Sequence, residues 1–252
     1  MKFLVILLIL PFLQACLPTT HSTPKVINGF EVSEEQDPAI VKIGGCTGTF
    51  IADDVMITAG HCVCNKERIR YGSITSIEII LNPKYPSWQE GERCGKVVPS
   101  DTAIVKFPKG TAKATMALCK ETHGPGTSVR LVGYGCNQHT YNEQGDFMGT
   151  HSCTGNKIKR VGYNVVSPDK PDTSMTYKIF GQALTTTADG SNAVPAPGDS
   201  GSPLLIEEGG VECIAGINSG GGARKRVEEN WSYSHFVNIK NRHSDFLGPY
   251  RN

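Results

Sequence analysis

Gly198-Asp199-Ser200-Gly201-Ser202-Pro203-Leu204 sets one serine in a turn of small residues that runs into an apolar stretch. Alone it is a turn and no more. Upstream lies Ile57-Thr58-Ala59-Gly60-His61-Cys62, and between the two lies Asp101-Thr102-Ala103-Ile104-Val105. A single histidine or aspartate is usually structural. Together the three supply a hydroxyl nucleophile, a base to activate it and a carboxylate to orient the base. The order His61, Asp101, Ser200 narrows the fold, because unrelated folds with the same triad present it in other orders.

In these residues and this order the chain resembles the trypsin/chymotrypsin family of serine endopeptidases, from Val26 almost to the C-terminus. The resemblance implies an all-β fold of two antiparallel six-stranded β-barrels with the active site in the cleft between them. His61 and Asp101 would come from barrel one, about 26–120, and Ser200 from barrel two, about 121–236. Ser200 would attack the scissile carbonyl, with His61 relaying the proton and Asp101 holding the imidazole tautomer. The backbone N–H groups of Gly198 and Ser200 would form the oxyanion hole, where one donor is worth roughly 2.7–4 kcal/mol.

Cys46 to Cys62 resembles, without a gap, the family segment in which a disulfide brackets the catalytic histidine loop. Lys25-Val26-Ile27-Asn28-Gly29 resembles an activation site. Cleavage after Lys25 would free the Val26 amine to pair with Asp199, whereas the plainer reading is that Val26-Ile27 only starts a strand. At the base of the specificity pocket, six residues before Ser200, stands Val194, with Ser219 and Gly221 on the wall and Gly220 where an aromatic is common. Valine offers no partner to a substrate lysine or arginine. Ala196 replaces a pocket cysteine, and Val129 and Ile206 replace a second bridged pair.

The 252 residues carry a net charge of +1, so there is no electrostatic case for nucleic acid. With 38% hydrophobic and 19% charged residues, neither disorder nor a membrane bundle is indicated. Met1-Lys2 and the apolar run Phe3 to Phe12 read as an export signal over 1–15, too short to span a bilayer. Leu13-Gln14-Ala15-Cys16 resembles a bacterial lipobox, in which Cys16 is lipidated and begins the mature chain. Gln14 is uncommon in that motif, and simple secretion is the alternative. Nine cysteines favour the lipobox, because removing Cys16 leaves eight for four bridges in an oxidising compartment. Besides Cys46–Cys62 we expect Cys64–Cys94, Cys136–Cys153 around a polar loop and, by elimination, Cys119–Cys213. A zinc site from His61, Cys62 and Cys64 competes, but an exported chain would oxidise such thiols and there is no second ligand cluster.

Residues 16–25 are a short proline-bounded linker. Thereafter β-branched runs such as Thr75–Leu81, Thr102–Phe107 and Ser128–Val132 alternate with Gly, Pro, Asn and Asp clusters, as strands do. One helix is expected, over about 237–247, stopped by Gly248-Pro249. The domain of 26–252 is thus read as a monomeric exported endopeptidase, lipid-anchored or secreted, that needs no metal or cofactor. Its partners are protein or peptide substrates and an activating protease. An inactive binding-only relative would lose a triad member. An esterase elbow would read Gly-x-Ser-x-Gly, which Gly198–Ser202 does not match. The run Arg224-Lys225-Arg226 is a solvated loop or, alternatively, a reader of acidic substrates.

Overall fold

The computed structural model describes residues 26–86, 94, 97–135, 140–141, 147–149, 158–170, 172–182, 191–226 and 229–251. The expected signal segment, Cys16, Lys25, Cys136, Cys153 and the side chains of Arg224 to Arg226 lie outside the described residues.

Two curled antiparallel sheets make the two-barrel architecture. Chain order gives β1 (Phe30–Glu31), β2 (Ile40–Ile43), β3 (Cys46–Ala52), β4 (Val55–Thr58), β5 (Arg70–Tyr71), β6 (Ile74–Thr75), β7 (Glu78–Leu81) and β8 (Ala103–Lys106). There follow β9 (Ser128–Gly133), β10 (Thr140–Tyr141), β11 (Phe147–Gly149), β12 (Arg160–Val165), β13 (Thr176–Gln182), β14 (Pro203–Glu208), β15 (Val211–Arg226) and β16 (Glu229–Asn238). The first barrel's sheet runs β2-β3-β4-β8-β7, with β5-β6 as a separate hairpin. The second runs β1-β12-β9-β14-β15-β16-β13, with β10-β11 as a separate ribbon. Strands divide seven and five because β1, which precedes barrel one in sequence, pairs with β12 of barrel two.

The apolar runs face inward as their β-branched composition demands. Phe50, Met56, Ile57, Ile104 and Phe107 are fully buried in the first core, where Phe50 packs on Phe107 at 5.6 Å and on Tyr71 at 5.4 Å. The second core holds Leu131, Tyr177, Ile179, Leu204 and Phe236. Val129 and Ile206, in place of a bridge, are both buried there, so packing substitutes for the covalent link. Disulfides join Cys46 to Cys62, Cys64 to Cys94 and Cys119 to Cys213. The last fastens the connection between the barrels to β15, beside a bridge between Leu118 and Ile214.

The helix expected over 237–247 does not form. Strand β16 runs on to Asn238, with Val237 paired to Thr176 and Ile217. Asn238 Oδ1 then accepts from the Lys240 N–H and Asn241 Oδ1 from the His243 N–H. Such side chains give the backbone local partners that compete with a helical ladder. Only a 3-10 helix, Asp245–Tyr250, follows.

Three cations, Lys159 and Arg160 buried and Arg130 partly so, fasten the segment from β1 to β2 onto barrel two. Arg130 on β9 grips Asp37 through two bonds of 2.7 Å and also pairs with Glu212. Lys159 Nζ donates to the carbonyls of Glu34, Gln36 and Asp37 at 3.0, 2.8 and 3.1 Å, and burial lowers its pKa. Arg160 on β12 pairs with Glu31 at 3.1 Å.

Candidate active site

His61 sits in a single 3-10 turn, Gly60–Cys62, closed by the Cys46–Cys62 bridge. Its N–H donates to Asp101 Oδ1 at 2.8 Å, and its Nδ1 lies 2.8 Å from Asp101 Oδ2. A carboxylate at Nδ1 keeps the proton there and leaves Nε2 as the base. Asp101 is wholly buried, and the hydroxyl of Ser219 donates to its Oδ2. The specificity-wall role expected of Ser219 missed this one: it completes the carboxylate's donor set. Nothing in its sequence context singled it out for that role.

Ser200 is presented by a turn with Gly198 at φ 101° and Gly201 at φ 79°, torsions that suit glycine. The turn is anchored on both sides. The Gly201 N–H donates to the Asn218 carbonyl at 2.8 Å within barrel two. From barrel one, the Thr47 N–H donates to the Ser200 carbonyl at 2.8 Å and the Thr47 hydroxyl to the Gly198 carbonyl at 3.2 Å. Thr58 Oγ1 in turn donates to the Thr47 carbonyl at 2.8 Å. A Cβ on Gly201 would stand 3.0 Å from the Ala59 nitrogen, so the serine turn packs against the strand end that leads into His61. Among the described residues no hydrogen bond engages the N–H of Gly198 or Ser200, and both donors stay available to an oxyanion.

Asp199 points the other way, into the protein. Its carboxylate accepts from the Gly135 N–H at 2.7 Å and the Ala196 N–H at 2.9 Å. Burial pushes its pKa up to about 6, against the pull of those N–H donors and of the Arg160 charge. A Cβ on Gly133 would stand 2.0 Å from Oδ1 and one on Gly135 2.2 Å from Oδ2, so only glycines fit. Val26 and Ile27 are buried nearby, with Ile27 and Val194 exchanging backbone bonds of 3.1 Å.

Beside Ser200 opens a cleft of about 220 Å³ between Pro195-Ala196-Pro197 and Gly220-Gly221-Gly222, with Tyr233 and Ser234 also lining it. No charged side chain is among its lining residues. Val194 is fully buried and packs against Gly181, with only its neighbours Pro195 and Ala196 reaching the cleft. A larger cavity of about 630 Å³ shares Tyr233 and is lined by Lys178, Phe180 and His235, but it contains no triad member. Burial, with Lys170 and Lys178 nearby, lowers the His235 pKa to about 4. Two groupings of metal-type ligands, Cys46-His61-Cys62 and Cys119-His123-Glu208, draw their sulfurs from disulfides, which are poor ligands. The zinc alternative loses Cys62 and Cys64 in the same way.

The family model for trypsin matches residues 26–242. The chain belongs to the trypsin family. A curated relative is anionic trypsin from Canis lupus familiaris, 27% identical over 150 residues, which cover 51% of this chain and 58% of that protein. In this trypsin-family chain the His61–Asp101 pair lies just beyond Ala59, against which the Ser200 turn packs.

Proposed function

We propose that the chain is an exported serine endopeptidase that cleaves peptide bonds through an acyl-enzyme. The observation that carries this is the His61–Asp101 pair on barrel one, together with the docking of the Ser200 turn onto that barrel by Thr47. Ser200 Oγ adds to the carbonyl as His61 Nε2 takes its proton, and His61 returns that proton to the leaving amine. A water then repeats the sequence to release the acid. The N–H groups of Gly198 and Ser200 receive the oxyanion. A fluorescent phosphonate should label the wild type and leave Ser200→Ala unlabelled. Failure to label the wild type favours the binding-only reading.

Ser219→Ala should lower kcat by roughly tenfold with KM nearly unchanged, since a hydrogen bond to a charged group is worth about 1.5–3 kcal/mol. A fall in KM-dependent binding instead would mean that Ser219 serves the pocket.

The cleft supports preference for a small or medium neutral residue before the cleaved bond. An arginine there would be buried against Ala196 and Tyr233 without a countercharge. In a peptide-library profile, arginyl and lysyl substrates should be turned over at least about a hundredfold more slowly than apolar ones, a penalty near 3 kcal/mol. Equal rates would overturn the preference. Acidic preference through Arg224 or Arg226 is the second outcome to score.

Activation by cleavage after Lys25 is supported by the backbone at that junction. Val26 has φ 44°, a left-handed torsion that a β-branched residue adopts only under strain of about 1–3 kcal/mol. Cutting the Lys25–Val26 bond abolishes that torsion and frees an amine next to Ile27, whose backbone pairs with Val194 on the segment leading to Asp199. If Cys16 carries lipid, only ten residues, roughly 35 Å when extended, tether the domain, and the same cut releases it. Lys25→Gln should then stay in the membrane fraction, and Cys16→Ala should appear in the soluble one. A soluble Lys25→Gln chain would mean ordinary secretion.

A further inference from the structure

Activation through a new amine leaves a question about the chain before the cut. In the continuous protein the Val26 nitrogen is an uncharged peptide nitrogen, yet Asp199 is already buried, 1% exposed, in its seat beneath the Ser200 turn. Two backbone donors hold its oxygens. The cation facing it comes from β12. Arg160 is the cross-strand partner of Gly133, and directly opposed residues of an antiparallel pair project to the same face. Gly133 has no side chain, and the Asp199 carboxylate fills the space where one would be, with Oδ1 2.0 Å from the ideal Cβ position. The Arg160 side chain and the Asp199 carboxylate are therefore neighbours on one face, both buried, and each biases the other's ionisation. Arg160 also donates to Glu31 and to the Ile158 carbonyl. Glu31 is 42% exposed, so water screens that pair in a way it cannot screen a charge enclosed with Asp199.

On the reading that this is a serine endopeptidase, we propose that Arg160 is a positioning residue for the Ser200 turn: it is the standing counter-ion of Asp199 and assembles the oxyanion hole in the uncut chain. Buried carboxylates are stable as ions when a cation and hydrogen bonds replace lost water. An ionised Asp199 keeps its bonds to Gly135 and Ala196, and the Ala196 bond fixes the chain entering Gly198. The single-chain form consequently has an activity of its own, and cleavage after Lys25 adds a second cation to a site already furnished with one. Two cations that serve one carboxylate are partly redundant, so removing either alone costs less than removing both. The groups facing Asp199 are Arg160 from β12, the N–H groups of Tyr134 and Gly135 after β9 and that of Ala196; on the activation reading the freed Val26 amine joins them.

The test compares the full Lys25→Gln chain with enzyme beginning at Val26, released from a cleavable fusion, each with and without Arg160→Gln. The reading is the rate at which a phosphonate labels Ser200, with peptide kcat alongside. We expect Lys25→Gln to label measurably and Arg160→Gln to slow it by at least about tenfold, the scale of coupled neighbours. In the enzyme beginning at Val26 the same substitution should slow labelling by less than about threefold. Arg160→Lys should recover most of the single-chain rate, and Glu31→Gln should leave both forms unchanged. Equal slowing of both forms by Arg160→Gln overturns the proposal, because a merely structural arginine would matter in each. A Lys25→Gln chain that never labels, beside a cut enzyme that does, overturns it while the protease reading stands. If neither labels, the protease reading itself fails. The Lys25→Gln chain keeps Arg160, so whether the single chain labels is decided even if Arg160→Gln does not fold.

Discussion

Ser200→Ala should reduce amide hydrolysis by on the order of 10⁶ in kcat, the loss found when the serine or histidine of such a triad is removed. Loss of one oxygen leaves the turn's anchors untouched, since Thr47, Asn218 and Ala196 all bond to the backbone there. Thermal unfolding should therefore be unchanged. His61→Ala should cost about as much, and the double variant no more than either alone, because the two act as one unit. Asp101→Asn should lose roughly 10⁴, since an amide in place of the carboxylate favours the wrong imidazole tautomer. Progress curves with an apolar peptide amide measure all four. Substantial turnover by Ser200→Ala would remove the nucleophile from the mechanism and send the search to another side chain.

Gly201→Ala should be the most damaging change outside the triad. The added methyl would lie 2.2 Å from Thr58 Oγ1, 2.3 Å from the Thr47 carbonyl and 3.0 Å from the Ala59 nitrogen. Two of those atoms are backbone and cannot swing aside. The residue would also have to hold φ 79°, at a cost of about 1–2 kcal/mol for a side-chain-bearing residue. Relief requires the serine turn to back away from the strand end before His61, and a displacement near 1 Å costs about 10² in rate. Melting temperature and kcat should both fall. Gly209→Ala is the control: its φ is also positive, at 60°, but nothing lies within 4 Å of the new methyl. It should lose only the torsional strain and keep its activity. If both variants behave alike, the inter-barrel contact is not what Gly201 provides.

Much of the fold was legible because strands and hairpins are written in local patterns. Runs such as Thr102–Phe107 and Ser128–Val132 lie in or around β8 and β9, and glycine pairs such as Gly209-Gly210 close the hairpin between β14 and β15. Residues 237–247 form no helix despite their apolar spacing, because the side chains of Asn238, Asn241 and Ser244 satisfy the backbone locally. In the site, His61, Asp101 and Ser200 stood out because each sat in a distinctive local setting. Ser219 and Thr47 did not, for their roles arise from strands far apart in sequence meeting at the cleft. Arg160 was illegible for a different reason. In Arg160-Val161-Gly162-Tyr163 an arginine at a strand start looks solvated, and only the gap left by Gly133 on the neighbouring strand reveals that it is enclosed.

Lys159 helps to fasten the N-terminal segment to barrel two, and its burial has a consequence in brine. Dissolved ions weaken attraction between exposed charges, with a screening length of roughly 3 Å at 1 M, but barely enter a packed interior. Lys109, 78% exposed opposite Asp53 and Asp54, belongs to the first kind. Lys159, at 1% and held by three backbone carbonyls, belongs to the second, whereas the partner of Arg160, Glu31, lies open to water. The lysine that seats the segment before β2 is thus a charge that added salt scarcely reaches, and that segment should stay docked at ionic strengths that strip the surface of its ion pairs.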